Sequence, residues 1–195
     1  MSLELRSLRG AELTPWLDAL AALRIAVFRD WPYLYDGDLD YERRYLASYA
    51  GNPRALMVGA FDGDRLVGAT TAMPMADHDD AFAAALAGTG IAAPRAYYLA
   101  ESLALPEYRG QGLYPRFFAQ REAEGRALGF DWAVFCGVVR PKDHSARPAG
   151  HRPLDPVWRR AGYAPVPGAV ARYDWRDIGA EAETPHPMQV WAKRL

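Results

Sequence analysis

The chain has 195 residues, half of them hydrophobic and 24% charged, with a formal net charge of −1. That length and balance suit one soluble globular domain, residues 1–195, with a sizeable core. Nothing in the charge favours nucleic acid or an anionic membrane, and no apolar run is long enough to span a bilayer. A single cysteine, Cys136, excludes an internal disulfide and fits a reducing cytoplasm, and Met1–Arg6 lacks the basic-then-apolar order of a secretory signal.

Leu3, Leu5 and Leu8 alternate with charged neighbours, so the chain should open on a strand that Gly10 breaks. Leu13, Leu17, Leu20, Leu23 or Arg24, and Val27 recur at helical spacing and predict an amphipathic helix over 11–28. The next stretch, 28–37, holds Trp31, Tyr33 and Tyr35 with a proline and a glycine, which makes it an aromatic loop. A short helix is expected over 41–49. Two apolar strands, 55–61 and 66–73, then flank the turn Asp62-Gly63-Asp64. Asp77-His78-Asp79-Asp80 has the look of a metal cluster, yet it stands before the alanine-rich segment 81–87, where acids complement a helix dipole.

The stretch from Tyr97 to Tyr114 organises the rest. Tyr97, Leu99, Leu103 and Leu105 alternate as one side of a strand, with Glu101 set in that row. Pro106 ends the strand for want of an N–H. Gly110 and Gly112 allow a sharp turn that brings backbone N–H groups close to a ligand. A helix begins near Leu113, with Pro115 in its first turn. Unpaired N–H groups and the helix dipole make such a start a phosphate site, and Arg109 adds a planar cationic fork. A Rossmann loop is excluded because Pro115 stands where its third glycine belongs, and no Walker string exists.

The helix should run to about Leu128 and stop at Gly129, and Trp132–Val138 should be a buried strand joined to the central one by a crossover. Residues 139–155 form a long loop with Arg140, Lys142, His144, Arg147, His151 and Arg152. A short helix around Val157–Gly162 leads into a closing pair of strands, 170–175 and 188–192.

The order Arg109-Gly110-Gln111-Gly112-Leu113 after a strand resembles the acyl-CoA signature Arg/Gln-x-x-Gly-x-Gly/Ala of the GNAT N-acetyltransferase superfamily. Arg109 and Gly112 match its first and fourth positions; Tyr114 departs from it at the sixth. Trp158–Tyr163 resembles the family's closing aromatic-x-x-x-Gly-aromatic element, and the order of elements follows the family from end to end. The resemblance implies an α/β (α+β) fold: a mixed, mostly antiparallel sheet of about seven strands, its fourth and fifth splayed, with helices on both faces. It implies acetyl-CoA as co-substrate, with pantetheine along Leu103, Ala104 and Leu105 and the pyrophosphate on Arg109, Gly110, Gln111, Gly112, Leu113 and Tyr114. It implies no metal, direct attack by a primary amine of a small-molecule or peptide acceptor, and Glu101 as general base.

At the family's usual acid position this chain has Trp158, a poor acid, so either Tyr114, Tyr163 or water takes that role or the thiolate, a good leaving group, departs without an acid. Trp31, Tyr33, Tyr35, Arg147, Arg152 and Trp158 are the expected acceptor-side residues, on the opposite side from the cofactor phosphates. The rival for Glu101 is a structural carboxylate paired with Arg95, Arg116 or a backbone N–H. Cys136 reads as inert core rather than an acyl carrier, and His144 and His151 match no metal template. A non-catalytic acyl-CoA-binding module is the alternative class, nucleic-acid binding through the loop arginines a weaker one, and the chain should be a monomer or homodimer.

Overall fold

The computed structural model describes residues 3–78 and 80–195. Seven strands form one sheet: β1 (Glu4–Arg9), β2 (Leu56–Asp62), β3 (Arg65–Pro74), β4 (Ala96–Ala104), β5 (Trp132–Val138), β6 (Ala164–Trp175) and β7 (Thr184–Arg194). Their order is β1-β2-β3-β4-β5-β7-β6, antiparallel at each contact except the parallel pair β4–β5. The closing strands are longer than the hydrophobic alternation suggests, because β6 and β7 pair on either side of a register shift between Pro165 and Val170.

Helices cover both faces. On one side α1 (Leu17–Phe28) and α2 (Leu39–Ala50) place Leu20, Leu23 and Leu46 against Met57, Phe61 and Leu103 of the sheet. The predicted helix over 11–28 is in fact a 3₁₀ segment, Gly10–Trp16, followed by α1. Pro15 lies inside that first segment, where it cannot donate to an α-helical ladder. On the other side α4 (Leu113–Ala127) buries Leu113, Phe117 and Phe118. The alanine-rich helix is only α3 (Asp80–Ala84), and Phe82 anchors it to Tyr98. Of the acidic run before it, Asp77 pairs with Arg54 instead of capping, and Asp79 lies outside the described residues. A short α5 (Asp155–Arg160) follows the long loop.

Two irregularities in β4 shape everything near it. First, β4 and β5 pair only through Ala96–Trp132, Tyr97–Ala133 and Tyr98–Val134, after which the strands diverge. Second, Leu99 faces Ala72 and Ser102 faces Thr70, so Ala100 and Glu101 together oppose Thr71 in a β-bulge. One extra residue reverses the alternation. Leu99 therefore packs on the α4 side with Phe118 and Phe135, whereas Leu103 packs on the α1–α2 side. The single row Tyr97, Leu99, Glu101, Leu103 and Leu105 predicted from period 2 is corrected accordingly: it switches faces at the bulge, and Glu101 does not lie in line with Leu99.

Candidate functional site

Divergence of β4 and β5 opens a cleft of about 1040 Å³ between the strands, the start of α4, the 28–33 segment and the 139–158 loop. It gathers Trp31, Tyr33, Glu101, Leu103, Ala104, Arg109, Gly110, Gly112, Leu113, Tyr114, Arg147, Arg152 and Trp158 into one wall system. Three sequence-predicted residues stand elsewhere. Leu105 packs with the α1–α2 core, Gln111 turns its amide back to the Glu107 carbonyl at 3.2 Å, and Tyr35 lines a second, smaller cavity.

At the outer end, Gly112 holds φ +74° at the N-cap of α4 and Gly110 holds φ +78°. These left-handed conformations favour glycine, and a Cβ at either position would meet only open space. No side chain caps the helix at Gly112, so its first N–H groups carry the dipole's positive end toward the cleft. That geometry fits a pyrophosphate. Arg109 is less free than its place in the sequence suggests. Its Nε donates to the Ala104 carbonyl at 3.1 Å, and its Nη2 meets Asp30 at 3.0 Å. Asp30 belongs to the aromatic segment 28–37, so that segment reaches Arg109 across the cleft.

At the inner end, the Glu101 side chain is 3% exposed and its Oε2 lies 2.7 Å from Nη1 of Arg24 on α1. Nε of the same guanidinium donates to Oε2 of Glu42 on α2. The partner of Glu101 is thus Arg24, not Arg95, which pairs with Asp131. Burial opposes charge on Arg24, but the Glu101 and Glu42 carboxylates and Tyr45 outweigh it and hold the guanidinium well above its ordinary value. Oε1 of Glu101 and Oε1 of Glu42 are both buried without a hydrogen-bond partner.

The bulge also frees the Glu101 carbonyl from the regular ladder. Thr70 Oγ1 donates to it, and so does Nη1 of Arg121 at 3.0 Å. Nη2 of Arg121 donates to Ser102 Oγ at 2.9 Å. Arg121 is 2% exposed on α4, and burial pulls its guanidinium below the ordinary arginine range. Nearby, the Trp158 indole N–H donates to the Tyr114 hydroxyl at 2.7 Å. The Trp158 ring lies over Gly137, where a Cβ would come within 2.8 Å of it. Burial pushes the Tyr114 phenol up, and the Trp158 donor and the Arg121 charge only partly oppose that. Tyr163 instead gives its hydroxyl hydrogen to Glu122 at 2.9 Å, away from the cleft. Burial pushes the Cys136 thiol up to about 12, which leaves it protonated and a poor nucleophile near neutral pH.

Arg140 ties the walls together. It donates to the carbonyls of Pro32 and Tyr33 and pairs with Asp177 at 2.7 Å. Trp31 packs against His144 and His151 at centroid distances of 5.1 and 5.9 Å. Among the described residues no group of three or more His, Cys, Asp or Glu is arranged to hold a metal ion. Sequence reasoning missed Arg24, Glu42 and Arg121 as parts of this site, and named Arg140 only as one end of the loop that borders it. The available signal was a charge on an apolar helix face, at Arg24 and Arg121.

No family model and no curated protein matches this sequence. Solved structures do. A ribosomal-protein-alanine N-acetyltransferase from Brucella melitensis aligns at TM-score 0.62 and 14% identity, over 99% of this chain and 100% of that one. An acyl-CoA N-acyltransferase from Pseudomonas aeruginosa aligns at 0.59 and 16%, over 98% and 99%. The PaiA N-acetyltransferase from Thermoplasma acidophilum, solved with coenzyme A, aligns at 0.56 and 14%, over the whole of both chains.

Proposed function

We propose that this chain, whose fold is that of the GNAT acetyltransferases, transfers an acetyl group from acetyl-CoA to a primary amine by direct attack. One observation carries the reading. The β4–β5 gap leads from an uncapped, glycine-turned helix start to a buried carboxylate with a free oxygen, Glu101 Oε1. A coenzyme A complex of a protein with the same fold supports the choice of co-substrate.

In this mechanism the N–H groups at the start of α4 hold the pyrophosphate, and pantetheine lies in the gap beside Leu103 and Ala104. The acceptor nitrogen attacks the thioester carbon, forming the C–N bond and a tetrahedral oxyanion. The C–S bond then breaks and the thiolate leaves. Glu101 Oε1 accepts the proton that the nitrogen must lose. Tyr114, held by the Trp158 N–H at the cleft wall, returns a proton to the sulfur; burial raises its phenol, and the Trp158 donor and the Arg121 charge oppose that rise by favouring the phenolate that the transfer leaves. Trp158 thus acts as a donor that positions Tyr114, and no proton leaves the indole.

The test is thiol release from acetyl-CoA across a panel of primary amines. Wild-type protein is expected to turn over. Glu101→Gln, which keeps the shape and removes the basicity, should lower kcat by on the order of 100-fold with acetyl-CoA binding unchanged. Binding of acetyl-CoA with no turnover of any amine would make the chain an acyl-CoA-binding module instead.

A further inference from the structure

Behind Glu101 lies a second cavity of about 90 Å³, separate from the cleft but sharing Phe28, Tyr33, Ala100 and Glu101 as a common wall. Its sides are aromatic: Tyr45, Phe82, Tyr98, Tyr173 and Trp175 line it. Glu42 and Glu101 both line it as well, with side chains 1% and 3% exposed. Each spends one oxygen on Arg24 and leaves the other buried without a donor. Burial, then the Glu42 charge and a side-chain hydrogen bond to that carboxylate, raise the Tyr35 phenol, while Oε1 of Glu42 is itself left without a partner.

Charge points one way. Arg24 is the only Lys or Arg among the described lining residues, and its single charge answers two carboxylates. Asp174 and Glu183 at the exposed rim add more negative charge, and His78 on the same wall is engaged with the Tyr45 hydroxyl. An ionised carboxylate oxygen only accepts, so the free positions ask for a donor, and a cationic one is the best match. Aromatic faces favour the same guest. The Arg24 guanidinium already lies 4.4 Å from the Tyr45 ring centroid and 5.0 Å from that of Phe28.

We propose that this aromatic box seats the second ammonium group of the acceptor, which makes the acceptor a short, free α,ω-alkyldiamine. The proposal rests on the acetyl-transfer reading above. The reacting nitrogen stands at Glu101 on the cleft side, the methylenes cross the shared wall beside Ala100, since the Phe28 and Tyr33 rings close on each other at a centroid distance of 4.3 Å, and the far ammonium meets Glu42 Oε1. A lysine side chain would bring one ammonium only. The hydroxyls of Tyr41 and Tyr173, 2.9 Å apart, narrow the outer rim against a peptide backbone.

The experiment compares 1,4-diaminobutane, butylamine and 4-aminobutanol as acceptors. The diamine is expected to show at least about a tenfold higher kcat/KM than either monoamine, and Glu42→Gln should bring that ratio within about twofold of one. Using a ratio within each variant cancels a general loss of stability, and the wild-type ratio decides the matter should Glu42→Gln fail to fold. Calorimetric binding of 1,4-diaminobutane and butylamine without acetyl-CoA supplies a readout independent of catalysis. Equal turnover of all three amines overturns the box while leaving acetyl transfer standing. Preferential binding of the diamine with no acetylation of any amine sustains the box as a diamine site and overturns acetyl transfer. Equal or absent binding of the diamine and butylamine overturns the box.

Discussion

The two ends of the cleft hold charge in opposite ways. At the glycine turn, positive potential comes from backbone N–H groups and a half-exposed Arg109, whose partner Asp30 is equally open to water. At the Glu101 end, three charged side chains from α1, α2 and β4 meet almost out of contact with solvent. Water screens the first end, so its interactions add little to stability and remain exchangeable with a ligand. The second end has no such screening, and its charges are bound into the fold. The lesson is that one cleft joins a replaceable surface to a structural one, and that mutations at the two ends should separate ligand binding from folding.

The largest contrast comes from removing one arginine at each end. Arg24→Met strands two buried carboxylates and should cost about 3–5 kcal/mol in urea unfolding. Arg109→Met removes an exposed pair and should cost less than about 1 kcal/mol. Equal losses would break the comparison. A sharper version keeps to the outer end. Gly112→Asp puts a side chain at φ +74° and a negative charge among the donors of the helix start. Its own stability cost should stay near 1–2 kcal/mol; acetyl-CoA is expected to raise the melting temperature of the wild type and to leave that of the variant unchanged.

The smallest expected effect is a pH dependence at His186, which stacks on Trp175 at 3.8 Å beneath the diamine box. Burial, then the Arg140 charge, lower its pKa from the ordinary 6.5. The folded state therefore prefers the neutral ring. Its contribution is fully present above 6.5 and is lost as pH falls from there through the folded-state value, because the unfolded chain takes the proton first. Melting temperature should fall over that window in the wild type, and less so in His186→Phe.

Much of the fold is legible because its signals are local. Apolar runs between turn residues mark β2, β3 and β5, and the glycines at 110 and 112 fix where α4 starts. The outer end of the cleft is equally contiguous, so its chemistry can be read from Arg109 to Leu113. The inner end is assembled from Arg24, Glu42 and Glu101, which share no spacing, and Arg24 reads as one option for an apolar helix position. The bulge at Ala100–Glu101 leaves no mark in the residue pattern, since Ala100 fits either face. A period-2 reading therefore carries Glu101 to the wrong side. Trp158 and Tyr114 are 44 positions apart, and only folding brings the indole to the phenol.

The parting of β4 and β5 has a further consequence when the sheet is seen as a set of borders. An ordinary open sheet has two, and both are places where a stray strand can add. Here the outer two are blunted: β1 carries Glu4, Arg6 and Arg9, and β6 carries Pro165, Pro167 and an irregular register. Beyond Tyr98 and Val134 the molecule has two more borders, and along Leu99–Ala104 and Phe135–Val138 these carry no proline and no charge except Glu101, which Arg24 holds. They face one another across a gap inside the molecule, roofed by α4 and the 139–158 loop, where a second copy of the chain has no approach. The fold thus keeps bare strand edge in the one place where it invites a slender guest and offers no seed for aggregation.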